Sequence, residues 1–254
     1  MPYSTTKEMI IMLPEIWIFD TYSVMILIGV IACFILLNVY GKKRRLNEKY
    51  IYDIMICGCV SIAIGLGSAA LFQIVFDMLK DATSIRFGAM TFYGGLIGGI
   101  IAFILIYQFW VKKFYPENTL SDLLPIAPAC ITVAHGFGRI GCFMAGCCYG
   151  KETSSILGVT FPGMTTPVYP TQLFEAFFLL ILTIPLFILA YKKFFKYNMC
   201  IYLLSYGIFR FLLEFLRGDN RGVTFLLSPS QWISIIAIIA SIILFFKLKT
   251  KNNI

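Results

Sequence analysis

Seven apolar stretches, each long enough to form a membrane-spanning helix, follow one another along this chain of 254 residues. A helix needs about 20 apolar residues to cross the hydrocarbon core of a bilayer. The composition agrees, because 59% of the residues are hydrophobic and 13% are charged, whereas soluble domains have about 25% charged residues. We therefore expect an all-α membrane protein, a polytopic bundle that forms a single membrane domain over residues 1–254. The predicted spans lie near residues 16–40, 51–79, 89–110, 120–143, 169–191, 199–217 and 230–247.

Positive charge is concentrated on one side of this predicted bundle. The segments 41–50, 111–119, 192–198 and 247–254 carry thirteen Lys and Arg residues, whereas the opposite side carries five. Because cytoplasmic loops are enriched in Lys and Arg, we expect a multi-pass plasma membrane protein with its N-terminus outside and its C-terminus in the cytoplasm. The net charge of +8 then reflects topology and contact with anionic lipid, so no nucleic-acid partner is expected.

Two of the predicted spans carry a stripe of polar side chains. In the span 120–143, His135, Arg139 and Cys142 are spaced so that they share one face of a helix. An arginine at membrane depth is costly unless it meets a counter-charge, an anion or water, so these side chains need partners. The stripe of the span 199–217 consists of Tyr206, Arg210, Glu214 and Arg217.

The partners of the arginines decide what the two stripes do. One alternative is a structural ion pair, in which Glu214 binds Arg210 or Arg217 and fixes the packing of the helices. The other alternative is an anion site, because one carboxylate cannot neutralise three guanidiniums and the guanidinium fork suits a phosphate. We expect the anion site, with an anionic phospholipid headgroup as its ligand, because ionisable side chains within membranes commonly mark functional sites.

Three cysteines cluster beside the only histidine of the chain, where His135, Cys142, Cys147 and Cys148 form the pattern H-x6-C-x4-C-C. Such a pattern is compatible with a zinc site, with a disulfide or with a nucleophilic thiol. Adjacent cysteines seldom ligate one ion, and an outer compartment can be oxidising, so the spacing favours a disulfide over zinc. We therefore predict no metal and no cofactor, while disulfide and thiol chemistry both stay open.

The run HGFGRIGCFMAGCCYG at residues 135–150 resembles the signature of the prolipoprotein diacylglyceryl transferase family. Three further segments resemble motifs of that family in the same order, MTFYGGLIG at 90–98, YPTQLFE at 169–175 and YGIFRFLLEFLR at 206–217. Tyr22 lies in a similar Tyr-x-x-Met context in the first span. The resemblance extends over most of the chain.

The resemblance implies a seven-helix transferase with its active site at the outer side of the membrane. Family members move the diacylglyceryl group of phosphatidylglycerol to the thiol of a lipobox cysteine, so the implied partners are this phospholipid and a preprolipoprotein lipobox peptide. Arg139 and Arg210 match the family's functional arginines, which would hold the phosphodiester and stabilise charge on the leaving phosphate. The attacking thiol belongs to the substrate, so Cys142, Cys147 and Cys148 are not expected to be nucleophiles.

Four positions differ from the family pattern. Tyr93 and Tyr169 stand where the family has histidines, Cys142 replaces an asparagine, and Cys147 replaces a glutamate of many members. A tyrosine with a pKa of about 10 is a poorer base than a histidine, so His135 is an alternative base.

Two other interpretations stay open. One is a paralogue that binds anionic phospholipid with another acceptor or without transfer, and the other is a membrane thiol or metal protein built on the cysteine cluster. The predicted catalytic residues are Arg139, Arg210, Tyr93 and His135, and the predicted substrate-binding residues are Tyr22, Gly94, Gly95, Cys142, Gln172, Glu175, Tyr206, Glu214 and Arg217.

Overall fold

Helices form nearly all of the regular structure in the computed structural model, which describes residues 21–80, 92–218 and 227–250. For residues 76, 79, 80, 92 and 93 only the backbone is described. The first residues of two predicted spans, those beginning at 16 and 89, lie outside the described residues. In the described part, the long helices are α1 (Thr21–Arg44), α2 (Glu48–Lys80), α3 (Phe92–Ile106), α4 (Ala127–Met144), α5 (Thr171–Lys193), α6 (Asn198–Leu213) and α7 (Pro229–Thr250).

Each predicted span overlaps one of these helices, so the expected all-α, polytopic fold class is confirmed. The helix α4 is not among the segments that are long and apolar enough to cross a membrane, because His135 and Arg139 lower its hydropathy. The chain is thus a multi-pass membrane protein, while the orientation of its termini stays a prediction. Six described segments meet both criteria, namely Thr21–Arg44, Glu48–Val75, Gly94–Phe114, Thr171–Lys193, Asn198–Leu216 and Pro229–Thr250.

The predicted span 120–143 differs from the structure at its start. Leu120–Leu123 forms a short helix of its own, and α4 begins only at Ala127. Pro125 interrupts the helix, because proline lacks an N–H donor and disfavours helical backbone in the preceding residue. Pro128 is compatible with α4 because it lies in the first turn, where the missing donor has no intrahelical acceptor.

The polar stripe of α6 ends earlier than its spacing predicts. After Leu213 the helix tightens into a 3-10 turn over Glu214–Leu216, and Arg217 has extended backbone with φ −77° and ψ 142°. The expectation that Arg217 continues the helical stripe is therefore wrong. Since a change of helix type rotates the side chains that follow it, the position of Arg217 is set by the loop and not by helical spacing.

The described chain forms two compact units, which are considered separately. A single membrane domain stays a prediction. The first unit comprises residues 21–40, 123–218 and 227–250, and the second comprises residues 41–80 and 92–122.

Close helix contacts hold the first unit together. The Thr183 hydroxyl of α5 donates a hydrogen bond of 2.8 Å to the Thr132 hydroxyl of α4, and a Cβ at Gly136 would come within 3.0 Å of a neighbouring leucine side chain of α5. The Ser241 hydroxyl of α7 donates to the Cys200 carbonyl of α6 at 2.8 Å. Small and hydroxyl residues of this kind allow membrane helices to approach closely, and this packing brings the polar residues of α4 and α5 within reach of each other.

The second unit is built on a glycine-rich contact between α2 and α3. A Cβ at Gly65 would lie 2.9 Å from the Gly95 carbonyl oxygen, so this position accepts only a glycine without movement of the backbone. The Ser68 hydroxyl donates a hydrogen bond of 2.9 Å to the Gly94 carbonyl. Gly94 and Gly95, two of the predicted substrate-binding residues, therefore take part in helix packing.

Candidate active site

A fully buried carboxylate, that of Glu175 on α5, lies at the centre of the polar side chains of the first unit. Its exposed fraction is 0%, and its Oε2 atom lies 3.1 Å from Nε of Arg139. The Tyr206 hydroxyl donates a hydrogen bond of 2.7 Å to Oε1, and Nε2 of His135 lies 3.6 Å from the same oxygen. Two helices, α4 and α6, thus supply one counter-charge and two polar groups to Glu175 on α5, and a carboxylate removed from water requires such partners.

His135 belongs to this carboxylate cluster and not to the cysteines. The Nε group of Arg139 donates a hydrogen bond of 3.3 Å to Nε2 of His135, and the Tyr206 ring meets the imidazole edge to face at 5.4 Å. An imidazole nitrogen that accepts a hydrogen bond carries no proton, so His135 is neutral in this arrangement. Residues four positions apart on a helix face the same way, and this spacing places His135 and Arg139 together.

A second ion pair lies where α6 ends and α7 begins. Nη1 of Arg210 lies 2.8 Å from Oε2 of Glu214, and Nη2 donates a hydrogen bond of 3.0 Å to the Ser230 hydroxyl. The Ser228 hydroxyl donates to Oε1 of Glu214 at 2.8 Å. The structural ion pair considered from the sequence is therefore present, and both Nη nitrogens of Arg210 are engaged in it.

The charge balance differs from the one the sequence suggests. The sequence sets Glu214 alone against three guanidiniums, whereas the structure adds Glu175 as a second carboxylate that pairs with Arg139. Arg210 also interacts electrostatically with Glu175, so the two ion pairs are electrostatically coupled. Arg217, whose residue is 6% exposed, contributes the third guanidinium, and the excess is one positive charge.

The cysteine cluster is built by the end of α4. Gly146 has φ 63°, and its N–H donates to the Phe143 carbonyl while the Cys147 N–H donates to the Cys142 carbonyl at 3.1 Å. These two bonds and the left-handed glycine define a Schellman motif around the C-cap residue Ala145. In this motif the side chain three residues before the cap contacts the side chain two residues after it. In this chain those two side chains are the thiols of Cys142 and Cys147, and Cys148, with φ 66°, adds the third.

Two side chains from the first turn of α5 fix the cysteine loop. The Gln172 amide donates a hydrogen bond of 2.6 Å to the Cys147 carbonyl, and the Thr171 hydroxyl donates to the Cys148 carbonyl at 3.1 Å. Hydrogen bonds to the other two thiols of the cluster, together with the nearby Arg217 guanidinium, hold the pKa of the Cys148 thiol well below its usual range. The predicted substrate-binding residues Gln172 and Arg217 thus both contact the cysteine loop.

Tyr22 on α1 lies against the α4 face that carries the active-site arginine. A Cβ at Gly141 would come within 2.9 Å of the Tyr22 ring, so this glycine allows the close approach. Tyr22 also interacts electrostatically with Cys142 and Arg139. The structure therefore brings Tyr22, Cys142 and Arg139 together with the residues around Glu175.

The remaining predicted site residues lie in the second unit. Gly94 and Gly95 pack against α2, as described above, and the side chain of Tyr93 lies outside the described residues. Their predicted roles in catalysis and substrate binding stay predictions.

Sequence reasoning missed the residues that complete the Arg210 cluster. Ser228 and Gln231 form a capping box at the start of α7, because the Ser228 N–H donates to the Gln231 amide oxygen at 2.9 Å and the Gln231 N–H donates to the Ser228 hydroxyl at 3.3 Å. The run Ser-Pro-Ser-Gln carries the usual sequence signal for such a cap. That signal could have placed Ser228 and Ser230 at a helix start, but not beside Glu214 and Arg210.

The arrangement suits an anionic ligand. Arg139 is partly exposed, with an exposed side-chain fraction of 18%, and its neighbours add a neutral imidazole, a phenol and a second guanidinium. Preorganised positive charge in a site shielded from water stabilises negative charge far better than it does in bulk water. The side chains around Glu175 can therefore bind an anion and stabilise negative charge that develops on it.

Comparison with known proteins gives consistent matches over almost the whole chain. A family model described as prolipoprotein diacylglyceryl transferase matches residues 9–247. The phosphatidylglycerol–prolipoprotein diacylglyceryl transferase of Clostridium tetani is 35% identical over 241 residues, which cover 88% of this chain and 91% of the relative. The protein of Clostridium perfringens with the same name and the number 2 is 36% identical over 247 residues, or 92% of each chain. The protein of that name from Francisella tularensis subsp. novicida is 30% identical over 250 residues, covering 91% of this chain and 90% of the relative.

Proposed function

The chain belongs to the prolipoprotein diacylglyceryl transferase family, as its motifs predict, and we propose that it transfers the diacylglyceryl group of phosphatidylglycerol to a lipobox cysteine. The family and the names of its relatives make it a transferase. The identities of the lipid donor and of the acceptor cysteine are part of what we propose. The observation that carries it is the contact geometry of Arg139, whose Nε lies 3.1 Å from the buried Glu175 carboxylate and donates a hydrogen bond to His135, while no hydrogen bond from its Nη nitrogens occurs among the described residues.

Arg139 is assigned to the phosphodiester of the lipid donor. Its described contacts, with Glu175 at 3.1 Å and His135 at 3.3 Å, both run through Nε. The two Nη nitrogens form the other edge of the planar fork, which can bind two phosphate oxygens in parallel. Because Glu175 already fixes the guanidinium, little side-chain freedom is lost when the lipid binds.

Arg210 is assigned a second, electrostatic role. Nη1 lies beside Glu214, Nη2 donates to Ser230, and the side chain is only 8% exposed, so Arg210 offers its charge to a ligand more readily than a hydrogen-bonding edge. It interacts electrostatically with Glu175 and Tyr206. In a site of low dielectric this charge stabilises the phosphate that leaves during transfer.

The bond changes of the proposed reaction balance without a metal or a redox partner. The acceptor sulfur attacks the glycerol carbon that carries the phosphate, the carbon–oxygen bond breaks, and glycerol phosphate leaves with the electron pair. We assign the thiol proton to His135, whose Nε2 is unprotonated and whose side chain is 30% exposed. Glu175, 3.6 Å from Nε2, would stabilise the imidazolium that forms. A role for Tyr93 as the base stays a prediction.

A transfer assay tests this proposal directly. The purified chain is incubated with phosphatidylglycerol and a lipobox peptide, and we expect a thioether-linked diacylglyceryl peptide by mass spectrometry with release of glycerol phosphate. Two matched controls, a peptide with serine for the lipobox cysteine and the zwitterionic donor phosphatidylethanolamine, should give no product. Binding of phosphatidylglycerol without any product would contradict the proposal and favour a lipid-binding paralogue.

We also propose that the protein lies in the plasma membrane with this site facing outward. The support is the concentration of thirteen Lys and Arg residues on one predicted side against five on the other. Single cysteines are placed in the segments 41–50 and 144–168 of a variant that lacks all other cysteines. A membrane-impermeant maleimide should label only the second segment in intact cells. Labelling of 144–168 only after lysis would reverse the orientation.

A further inference from the structure

Three thiols gather at one point beside the active-site arginine, and the proposed transfer reaction uses none of them as its nucleophile. The sulfur atoms of Cys142, Cys147 and Cys148 all lie within 4.8 Å of one another, and all three cysteines are free thiols. Three sulfurs in one place form a donor set for a soft metal ion. From the sequence, the adjacent cysteines Cys147 and Cys148 make a zinc site unfavourable. In the structure the left-handed backbone of Cys148, with φ 66°, directs both of their thiols into one cluster.

The backbone around the sulfurs is held from several directions. The Cys147 N–H is bound by the Cys142 carbonyl, the Cys147 carbonyl by the Gln172 amide, and the Cys148 carbonyl by the Thr171 hydroxyl. Side chains on such an anchored loop need little reorganisation to bind an ion, which favours binding. Zinc–sulfur bonds of about 2.3 Å place the sulfurs about 3.8 Å apart in tetrahedral geometry, so three sulfurs that all lie within 4.8 Å of one another need to approach by about 1 Å at most.

The charges around the cluster match a metal–thiolate centre. Three thiolates around one divalent cation carry a net charge of −1. Arg217 interacts electrostatically with Cys148, and Arg139 interacts electrostatically with Cys142 and Cys148. These guanidiniums compensate an anionic centre, as the hydrogen-bonded surroundings of metal ligands do in other metal sites.

The donor set selects the class of metal. Only sulfur donors belong to the group, because Nε2 of His135 is bound to Arg139 and faces Glu175. Sulfur-only sites favour Zn²⁺ and similar soft ions over the hard ions Mg²⁺ and Ca²⁺. We propose that Cys142, Cys147 and Cys148 bind one Zn²⁺ through three thiolates, with water in the fourth position. This site goes beyond the transferase function and is independent of it.

Metal binding is measured on the full chain purified in detergent under reducing conditions, without lipid or acceptor. After Zn²⁺ is added and excess ion removed, we expect one Zn²⁺ per chain by elemental analysis. Co²⁺ should give the intense near-ultraviolet band of sulfur-to-metal charge transfer. Serine at any one of the three positions should weaken Zn²⁺ binding by at least about 10–100-fold. Mutation of a residue that only hydrogen-bonds to a metal ligand already causes a loss of this size. The matched control is Cys59→Ser, an exposed thiol of the second unit, which should bind Zn²⁺ like the unmodified chain.

A second measurement needs no variant and therefore does not depend on whether a substituted chain folds. Bound Zn²⁺ should protect three thiols of the unmodified chain from a maleimide, and peptide mapping should assign them to the cluster. Equal maleimide labelling of the three cysteines with and without Zn²⁺ would overturn the proposal. So would a disulfide among the three cysteines that persists under the reducing conditions, or protection spread over other cysteines.

Discussion

The two buried ion pairs of the first unit contain the same charges but differ in their construction. Arg210 and Glu214 lie four residues apart on one stretch of chain, and both Nη nitrogens of Arg210 are engaged. Arg139 and Glu175 come from different helices, and the described contacts of Arg139 use only Nε. The first pair is closed by its own neighbours, whereas the second has an open edge for a ligand.

This difference separates a structural role from a binding role. A closed, buried pair leaves an unpaired charge behind when one partner is removed, so its loss is expected mainly as a loss of stability. A guanidinium with an open edge can add a ligand without losing its counter-charge, so its loss is expected mainly as a loss of function.

The largest expected effect is on stability. Arg210→Gln leaves the Glu214 carboxylate buried without its guanidinium, which we expect to cost about 3–5 kcal/mol. The double variant Arg210→Gln with Glu214→Gln should recover most of this loss, because it removes both charges. Thermal unfolding of the purified variants in detergent measures the effect. An Arg210→Gln chain that unfolds at the unmodified temperature would show that the pair is not closed in the way we describe.

The next effect is on turnover. Arg139→Gln removes the edge assigned to the phosphate, and we expect a loss of about 2–4 kcal/mol in transition-state stabilisation, or roughly 30- to 1,000-fold in rate. Glu175 keeps the Tyr206 hydrogen bond of 2.7 Å, the nearby charge of Arg210 and His135 at 3.6 Å, so the fold should be affected less than in Arg210→Gln. The assay is transfer from phosphatidylglycerol, with lipid binding measured beside it.

The double variant Arg139→Gln with Glu175→Gln is the matched control for this prediction. It removes both charges of the open pair, so stability should recover while transfer does not. Normal lipid affinity in a well-folded Arg139→Gln chain would remove the basis for assigning the phosphate to this residue.

A smaller effect is expected from changing the shape of the cation and keeping its charge. Arg139→Lys retains one positive charge but lacks the planar fork, so it should recover only part of the rate lost in Arg139→Gln, to within about 10-fold of the unmodified chain. Parallel assays of the glutamine and lysine variants provide the measurement. Full recovery with lysine would mean that charge alone matters at this position, as we propose for Arg210.

The sequence allows the closed pair to be predicted but not the open one. Helical spacing relates Arg210 to Glu214 on one stretch of chain, so the sequence offers their contact as one of two alternatives, beside a pair of Glu214 with Arg217. Arg139 and Glu175 are 36 positions apart, and only the packing of α4 against α5 brings them together. A motif placed Glu175 among the site residues, but periodicity could not identify it as the counter-charge of Arg139.

The same limit applies to the ends of the helices. The seven apolar runs predict the long helices because burial in lipid depends on local composition. The break at Pro125 and the extended backbone of Arg217 depend on single residues and on loop contacts. The thiol cluster depends on one left-handed glycine, Gly146, whose conformation the surrounding apolar sequence does not indicate.

The smallest expected effect compares one hydroxyl from each pair. Tyr206→Phe removes the hydrogen bond to Glu175 and keeps the ring against His135, whereas Ser230→Ala removes the hydrogen bond from Arg210. Each bond involves a charged group and is worth about 1.5–3 kcal/mol. If the division is right, Tyr206→Phe lowers transfer by only a few-fold, because Glu175 keeps its charge beside Arg139 and loses one of the contacts that hold it in position. Ser230→Ala lowers the unfolding temperature with transfer nearly unchanged. The reverse pattern, with Ser230→Ala the slower enzyme and Tyr206→Phe the less stable chain, would assign the ligand to the Arg210 pair.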